Sequence, residues 1–299
     1  MPSTSPAATA WRGERDRLVG IAYRMLGDFG HAEDVVSEVA VEALRAETDT
    51  DVRSWPAWLT TTCVRRSIDR LRQLAATREE YPGPWLPEPV ATGLLPDEVV
   101  ANRELLSITV LHLAEQLTPE ARAAVVLHRA FGMSAVEIAP LLDRSPDAVR
   151  QLISRGERRL RIDDHAPAPA CGDPEAVARI VRAIEQGDVT GVLALLDEDA
   201  VLWTDGGGRV KSALNPIFGA DRIARFFLGI LDKAWADSES GTPGVAAVDV
   251  NGQPALSLSL HGVHDVLVLE FSPDGGISEL RRVANPEKLT RAFRLRGDP

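Results

Sequence analysis

The stretch Leu117–Leu160, LTPEARAAVVLHRAFGMSAVEIAPLLDRSPDAVRQLISRGERRL, constrains the fold most, because it writes two short helices and a tight turn into consecutive residues. Ser145 is a good N-cap and Pro146 suits the first helical position, so a helix is predicted to begin there. Val149, Leu152, Ile153, Gly156 and Leu160 recur at i, i+3, i+4, i+7 and i+11, which defines one buried stripe. The opposite face carries Asp147, Arg150, Gln151, Ser154, Arg155 and Arg158. Arg and Gln can make bidentate contacts to base edges or reach phosphates. A shorter helix, Ser134 to Leu142 with Ile138, Leu141 and Leu142 inward, precedes it across the turn Asp143-Arg144-Ser145. That is the pattern of a helix-turn-helix whose later helix enters the major groove. An ordinary αα-hairpin with a solvated polar face writes the same local pattern, so the rest of the chain has to decide.

The net charge of −11 is unusual for a nucleic-acid binder, but its distribution matters more than its sum. Arg144 to Arg161 holds six Arg against Asp147 and Glu157, and Arg53 to Arg78 holds six Arg against Asp69 alone. Two basic patches in an acidic chain predict weak DNA binding by the protein alone and a partner that holds it there. No run approaches the roughly 18 apolar residues of a membrane span, and no signal peptide is visible, so a cytoplasmic protein with no membrane association is expected. Cys63 and Cys171 share no metal-ligand spacing with a His pair, so buried free thiols are expected, with no metal and no cofactor.

Two breaks divide the 299 residues. YPGPWLPEPVATGLLP, Tyr81 to Pro96, has five Pro and cannot be one helix, and DDHAPAPACGDP, Asp163 to Pro174, is the second. The predicted organisation is 12–80, a Pro-rich linker at 81–96, then 97–162 and 172–296. The first segment reads as three helices: one ending near Gly27 with Leu18, Ile21, Ala22, Met25 and Leu26 inward, a second at Ala32–Arg45, and a third at Ser54–Arg72. The third buries Trp58, Leu59, Thr62 and Cys63 and shows Arg65, Arg66, Arg70 and Arg72 to solvent. The last segment opens with helices at Asp173–Gln186 and Thr190–Leu196, followed by the strand-like Ala200–Asp205 and a helix at Asp221–Lys233. Several β-like runs follow, with turns at Asn251-Gly252 and Asp274-Gly275-Gly276. The fold class is therefore multidomain: all-α for the first two segments and α+β for the last.

LVGIAYRMLGDFGHAEDVVSEV and WPAWLTTTCVRRSIDRLR, together with Leu117–Leu160, resemble regions 2 and 4 of an extracytoplasmic-function sigma factor, the promoter-recognition subunit of bacterial RNA polymerase. The wording departs from that family after Val36, where Ser37-Glu38-Val39-Ala40 replaces Gln-Glu and an aromatic. The last segment resembles a SnoaL-like domain, the cystatin-like α+β cone. WLPEP at Trp85–Pro89, DGGGR at Asp205–Arg209 and NPEKL at Asn285–Leu289 resemble motifs of the sigma-J-like subgroup that carries such a fusion.

The resemblance implies two partners, core RNA polymerase and promoter DNA. Region 2 would melt the −10 element, with Arg65, Arg66, Arg70 and Arg72 on phosphates, and would dock on polymerase through Glu33, Asp34 and Glu38. Trp55 and Trp58 could stack on unpaired bases, although Trp58 lies on the apolar stripe and reads as core. Region 4 would read the −35 element through Arg150, Gln151, Ser154 and Arg155, with Arg144, Ser145 and Arg158 nearer the backbone. The linker is either a stiff spacer or an anchor on the C-terminal domain through Trp85, Leu86 and Pro87. Gly206-Gly207-Gly208 lacks the GK[ST] of a phosphate loop and reads as a tight turn, with Asp205 and Arg209 as interdomain hydrogen-bonding groups. Asn285 would cap a helix opening at Pro286. Together these residues would let the C-terminal domain regulate the sigma regions in cis.

Two readings from other classes stay open. SnoaL-like cones can bind a small ligand or catalyse acid–base chemistry, and Asp205, His261, His264 and Asp265 are the obvious donors here. A conventional helix-turn-helix repressor with a ligand-sensing domain is the other, although it would not need a region-2-like segment. No catalytic residue is assigned.

Overall fold

The structure, a computed structural model, describes residues 5–49, 52–101, 105–160, 162, 174–186, 188, 191–192, 194–236, 244–260 and 263–293. The chain divides into two compact units, Met1–Glu79 with Pro96–Asp164, and Glu80–Leu95 with His165–Pro299. The Pro-rich segment thus belongs to the second unit.

The first unit is helical: α1 (Pro6–Leu26), α2 (Phe29–Asp49), α3 (Trp55–Glu79), α4 (Asp97–Ala101), α5 (Ile108–Ala114), α6 (Pro119–Phe131), α7 (Ala135–Leu142) and α8 (Pro146–Arg159). Helix α1 buries Leu18, Ile21, Ala22, Met25 and Leu26 and stops at Gly27, whose φ of 67° only glycine adopts freely. Helix α2 starts earlier than its apolar pattern predicts, because the Asp28 carboxylate accepts from the His31 amide at 2.8 Å and caps it. Helix α3 runs past the predicted Arg72 to Glu79. Its last turn is held by Arg78, which pairs with Glu115 and donates to the Leu26 carbonyl at 2.9 Å. Arg122, buried on α6, donates from Nε to the Arg24 carbonyl at 3.2 Å and also pairs with Glu115. Two guanidiniums therefore satisfy carbonyls in the last turn of α1, where cations suit the helix dipole. Burial lowers the pKa of Arg78, with the Glu115 charge opposing that shift.

The second unit holds α9 (Pro174–Glu185), β1 (Leu196–Asp205), β2 (Ile217–Phe218), α10 (Ala220–Ala236), β3 (Gly244–Val250), β4 (Gln253–Leu260), β5 (Val263–Phe271) and β6 (Ile277–Val283). The six strands form one sheet in the order β2-β1-β6-β5-β4-β3, with β1 and β6 parallel and the other neighbours antiparallel. Leu196, expected at the end of a helix, instead opens β1. The rest of that predicted helix lies partly outside the described residues. Asn251-Gly252 turns β3 into β4 with both φ positive, the geometry that favours this dipeptide. Ala200, Leu202, Leu256, Leu258, Leu267, Leu269 and Leu280 project from one sheet face and meet Val177 and Ile180 of α9 and Ile223 of α10.

Candidate nucleic-acid interface and motif cluster

Region-4-like geometry begins with two caps. Ser134 and Glu137 form a reciprocal capping box at α7, and the Ser145 hydroxyl accepts from the Ala148 amide at 3.2 Å at the start of α8. Between them Asp143 takes a left-handed conformation (φ 54°) that turns the chain. Val149, Ile153, Gly156 and Leu160 are buried and Leu152 half-buried. Gly156 is needed for this packing: a Cβ there would lie 2.4 Å from Val125 Cγ2 on α6. Arg144, Ser145, Arg150, Gln151, Ser154, Arg155 and Arg158 are all exposed on the far side. Arg150 pairs with Asp147 one turn earlier, and Arg158 Nε donates to the Ser154 carbonyl at 3.2 Å.

Arg65, Arg66 and Arg72 of α3 are exposed, as the sequence suggests, but acids hold three of the four arginines. Arg66 donates from Nε to Glu42 at 2.6 Å and Arg70 to Glu38 at 2.8 Å, both acids standing on α2. Arg72 reaches Asp69 at 3.2 Å and Glu120 of α6 at 2.6 Å. Arg70 is half-buried rather than solvent-facing, and also meets His31 Nδ1 at 3.4 Å. Arg65 is exposed and has no ion pair among the described residues. The linear count of one acid missed Glu38, Glu42 and Glu120 because they come from other helices. Of the acids expected to face polymerase, Glu38 holds Arg70, while Glu33 is 3.5 Å from Arg15 and Asp34 is 3.9 Å from His31. Trp58, expected as core, is half-buried and meets Trp55 edge to face with ring centroids 5.8 Å apart.

In the second unit the three short motifs converge on Asp205. Its fully buried carboxylate accepts from the Tyr81 hydroxyl at 2.6 Å, the Leu86 amide at 2.9 Å, the Gly207 amide at 3.0 Å and the Lys288 ammonium at 2.7 Å. Lys288 donates as well to the Leu86 carbonyl at 2.6 Å, and its nitrogen lies 4.1 Å from the Trp85 ring centroid and 4.9 Å from that of Tyr81. Burial, the hydrogen bond to Asp205 and that residue's charge all raise the Tyr81 pKa. Asn285 caps the short 3-10 turn Pro286–Lys288 and donates from Nδ2 to the Tyr81 hydroxyl at 3.0 Å. Gly207 sits at φ 59°, and a Cβ there would strike Asn285 at 2.3 Å, so the Gly run is a close-approach turn.

Further along, the Val90 amide donates to Asn251 Oδ1 at 2.9 Å, the Asn251 amide returns to the Val90 carbonyl at 2.9 Å, and Arg291 reaches Glu88 at 3.1 Å. Leu86 and Pro87 are buried, whereas Trp85 is half-buried. Leu86, rather than Trp85, is thus fully buried, and Trp85 serves as a platform for Lys288. Arg209 lies on the surface with Glu287 at 3.0 Å, and Pro286 is exposed. Tyr81 and Lys288 were missed as site residues. Lys288 carried a signal, being one of three Lys in the chain.

Among the described residues the candidate acid–base donors do not assemble. Asp205 follows Trp203 on the face of β1 opposite Leu202, whereas Asp265 shares the helix-covered face with Leu267. His264 is exposed beside Phe293, and His261 lies outside the described residues. Among the described residues no group of three or more His, Cys, Asp and Glu could hold a metal ion, and no helix is long and apolar enough to cross a membrane.

The family models for sigma-70 region 2 and sigma-70 region 4 match residues 11–77 and 107–160. The chain is 33% identical to the ECF RNA polymerase sigma factor SigJ of Mycobacterium tuberculosis, an alignment covering 92% of this chain and 91% of SigJ. It is 28% identical to the probable ECF sigma factor SigI of the same species over 97% of both chains. The crystal structure of M. tuberculosis SigJ superposes with a TM-score of 0.74 at 32% identity, covering 95% of this chain and 98% of that one.

Proposed function

The chain belongs to the extracytoplasmic-function sigma factors, which direct core RNA polymerase to promoters, and from that premise we propose which residues do this and what the fused SnoaL-like domain adds. Helix α8 reads the −35 element. Arg150, Gln151, Ser154 and Arg155 meet base edges, while Arg144, Ser145 and Arg158 meet backbone. The observation that carries this reading is the division of α8 into a buried stripe and an exposed Arg/Gln face, set by a preceding capped helix. On α3, Arg65, Arg66, Arg70 and Arg72 follow the −10 strand, and Glu33, Asp34 and Glu38 of α2 face polymerase. The protein works in the cytoplasm, where polymerase is.

The C-terminal domain regulates in cis. The network around Asp205 supports this reading, since a buried carboxylate with four donors fixes the segment joining regions 2 and 4 onto that domain's own sheet. Anything that loosens the network lengthens the free connection between the two DNA-reading regions. The domain also takes a small ligand.

Run-off transcription with core polymerase and a promoter library tests the first part. Specific initiation that needs both polymerase and this chain is expected. Tight specific binding to duplex DNA by the chain alone, at about 0.15 M salt, would instead favour a repressor. Output that is the same for wild type and Lys288→Met would remove the cis-regulatory part.

A further inference from the structure

The interior of the C-terminal domain holds a charged pair that the Asp205 network does not use. Asp265 of β5 and Arg282 of β6 are 1% and 4% exposed. Asp265 stands opposite Leu258 and Arg282 opposite Leu267, both core residues on the helix-covered face. Arg282 lies over the ring of Phe226 on α10, with 6.0 Å from its guanidinium carbon to the ring centroid.

Both contacts of the pair use one carboxylate oxygen. Arg282 Nε donates to Asp265 Oδ2 at 2.6 Å, and Nη2 meets the same oxygen. Asp265 Oδ1 and Arg282 Nη1 are buried and have no hydrogen-bond partner among the described residues. Such atoms are rare in folded proteins, because a buried polar group gives up its water and needs a replacement. A bidentate fork would have satisfied both oxygens; this arrangement holds one acceptor and one donor in reserve.

We propose that the Asp265–Arg282 pair is the polar end of a small-molecule site in the C-terminal domain, selective for a neutral ligand that presents a hydrogen-bond acceptor beside a donor. A primary amide does this with its carbonyl on Nη1 and its N–H on Oδ1, and a hydroxyl does it with one oxygen. The charges of the pair already cancel each other. A carboxylate ligand would meet Oδ1 as a like charge, and an ammonium would meet the guanidinium. Leu258, Leu267 and Phe226 border the pair, so the remainder of the ligand is apolar or aromatic. Burial raises the Asp265 pKa while Arg282 opposes that rise, in keeping with a carboxyl shielded from water. The proposal rests on the small-ligand part of the reading above and gives that ligand its chemistry.

Four probes of one shape separate the possibilities: benzamide, benzyl alcohol, benzoate and benzylammonium, titrated into the full chain. Binding is read by saturation transfer to the probe, by Tm and by the Arg282 Nε–H resonance, all without transcription. Benzamide and benzyl alcohol are expected to bind and shift that resonance, with benzoate and benzylammonium at least about tenfold weaker. The double variant Asp265→Leu/Arg282→Met removes both charges together, an exchange that buried pairs tolerate, and should fold while losing the benzamide signal. Benzoate binding as tightly as benzamide would reduce the site to a guanidinium that takes any anion and overturn the proposal. So would benzamide binding that survives the double substitution, or no binding by any probe, the two atoms then being water sites. Benzamide binding with unchanged transcription would leave this site standing and count against the regulatory reading alone.

Discussion

Lys288 holds its ammonium 2.7 Å from Asp205 Oδ2 inside the C-terminal domain, and the same nitrogen donates to the Leu86 carbonyl. The pair is 8% and 0% exposed, so solvent contributes almost nothing to compensating either charge. What compensates them is the fold: two amides and a phenol on the carboxylate, and a carbonyl with two aromatic faces around the ammonium. One ion pair therefore makes the position of residues 81–86 depend on the end of β1 and on the 3-10 turn Pro286–Lys288.

Asp205→Ala should release that segment. Removing one member of a buried pair strands the other, at a cost of about 3–5 kcal/mol. Hydrogen exchange at the Leu86 amide, which donates to Oδ2, is the direct readout and should accelerate far more than exchange within α1. Tyr81→Phe removes only the hydroxyl and should give a smaller effect, about 1 kcal/mol for one hydrogen bond with some added cost for the buried acceptor left one donor short. Equal protection in wild type and Asp205→Ala would mean that the segment is held by Leu86 and Val90 packing instead.

The acids that pair with the α3 arginines should suppress DNA binding by the free protein. Arg66–Glu42 and Arg72–Glu120 are partly exposed, and pairs of that kind are worth about 0–1 kcal/mol, little enough for a phosphate to displace. The triple variant Glu38→Gln/Glu42→Gln/Glu120→Gln should raise single-strand affinity and steepen its salt dependence by about 0.7 per arginine released. Fluorescence anisotropy at several salt concentrations measures the slope. A slope equal to that of wild type would show that these arginines do not reach the strand.

Local chemistry made the helix-turn-helix legible: Ser134, Ser145, Pro146 and the α8 stripe all act within a few residues of themselves. The same holds for Asn251-Gly252, where the dipeptide and the turn nearly define each other. The electrostatics of α3 were not legible, since Glu38, Glu42 and Glu120 reach it only through tertiary packing. Helix lengths failed where a distant partner decided them, as Glu115 and the Leu26 carbonyl do for Arg78. At the motif cluster, Asp205, Asn285 and the glycines carried visible signals. The exchange of roles between Trp85 and Leu86 did not, because which of two adjacent apolar residues is covered depends on the surface beneath them.

Cys63 should be chemically silent in the folded protein. Burial pushes its thiol pKa from 9.0 up to about 12, with the Arg17 charge only partly opposing, and Sγ faces the Leu18 carbonyl at 3.6 Å. The folded state therefore favours the thiol over the thiolate. Its contribution to stability is complete below about pH 9 and is lost as pH rises through 9 towards 12. In a Cys171→Ser background, an aromatic disulfide reagent at pH 8.5 should label Cys63 only at the rate of unfolding. Rapid stoichiometric labelling of the native protein would contradict this burial.

Arg150 and Arg155 should separate under alanine substitution. Both stand exposed on α8, yet Arg150 is tethered to Asp147 and Arg155 has no ion pair among the described residues. A lost bidentate contact to a base costs about 1–3 kcal/mol and relaxes preference at one position only. Arg155→Ala should show this in full: transcription from a matched promoter falls about 5- to 150-fold, and one −35 position loses its preference. Arg150→Ala removes the contact but also the tether that pre-orients it and the local neutralisation of Asp147. It should therefore lose at least as much and leave an unpaired carboxylate near phosphates. Asp147→Ala supplies the control, since freeing Arg150 should strengthen general phosphate attraction while blurring base preference. Randomised −35 libraries transcribed with each variant read all three effects. If neither arginine variant changes the preferred sequence at any position, the exposed face of α8 does not read bases.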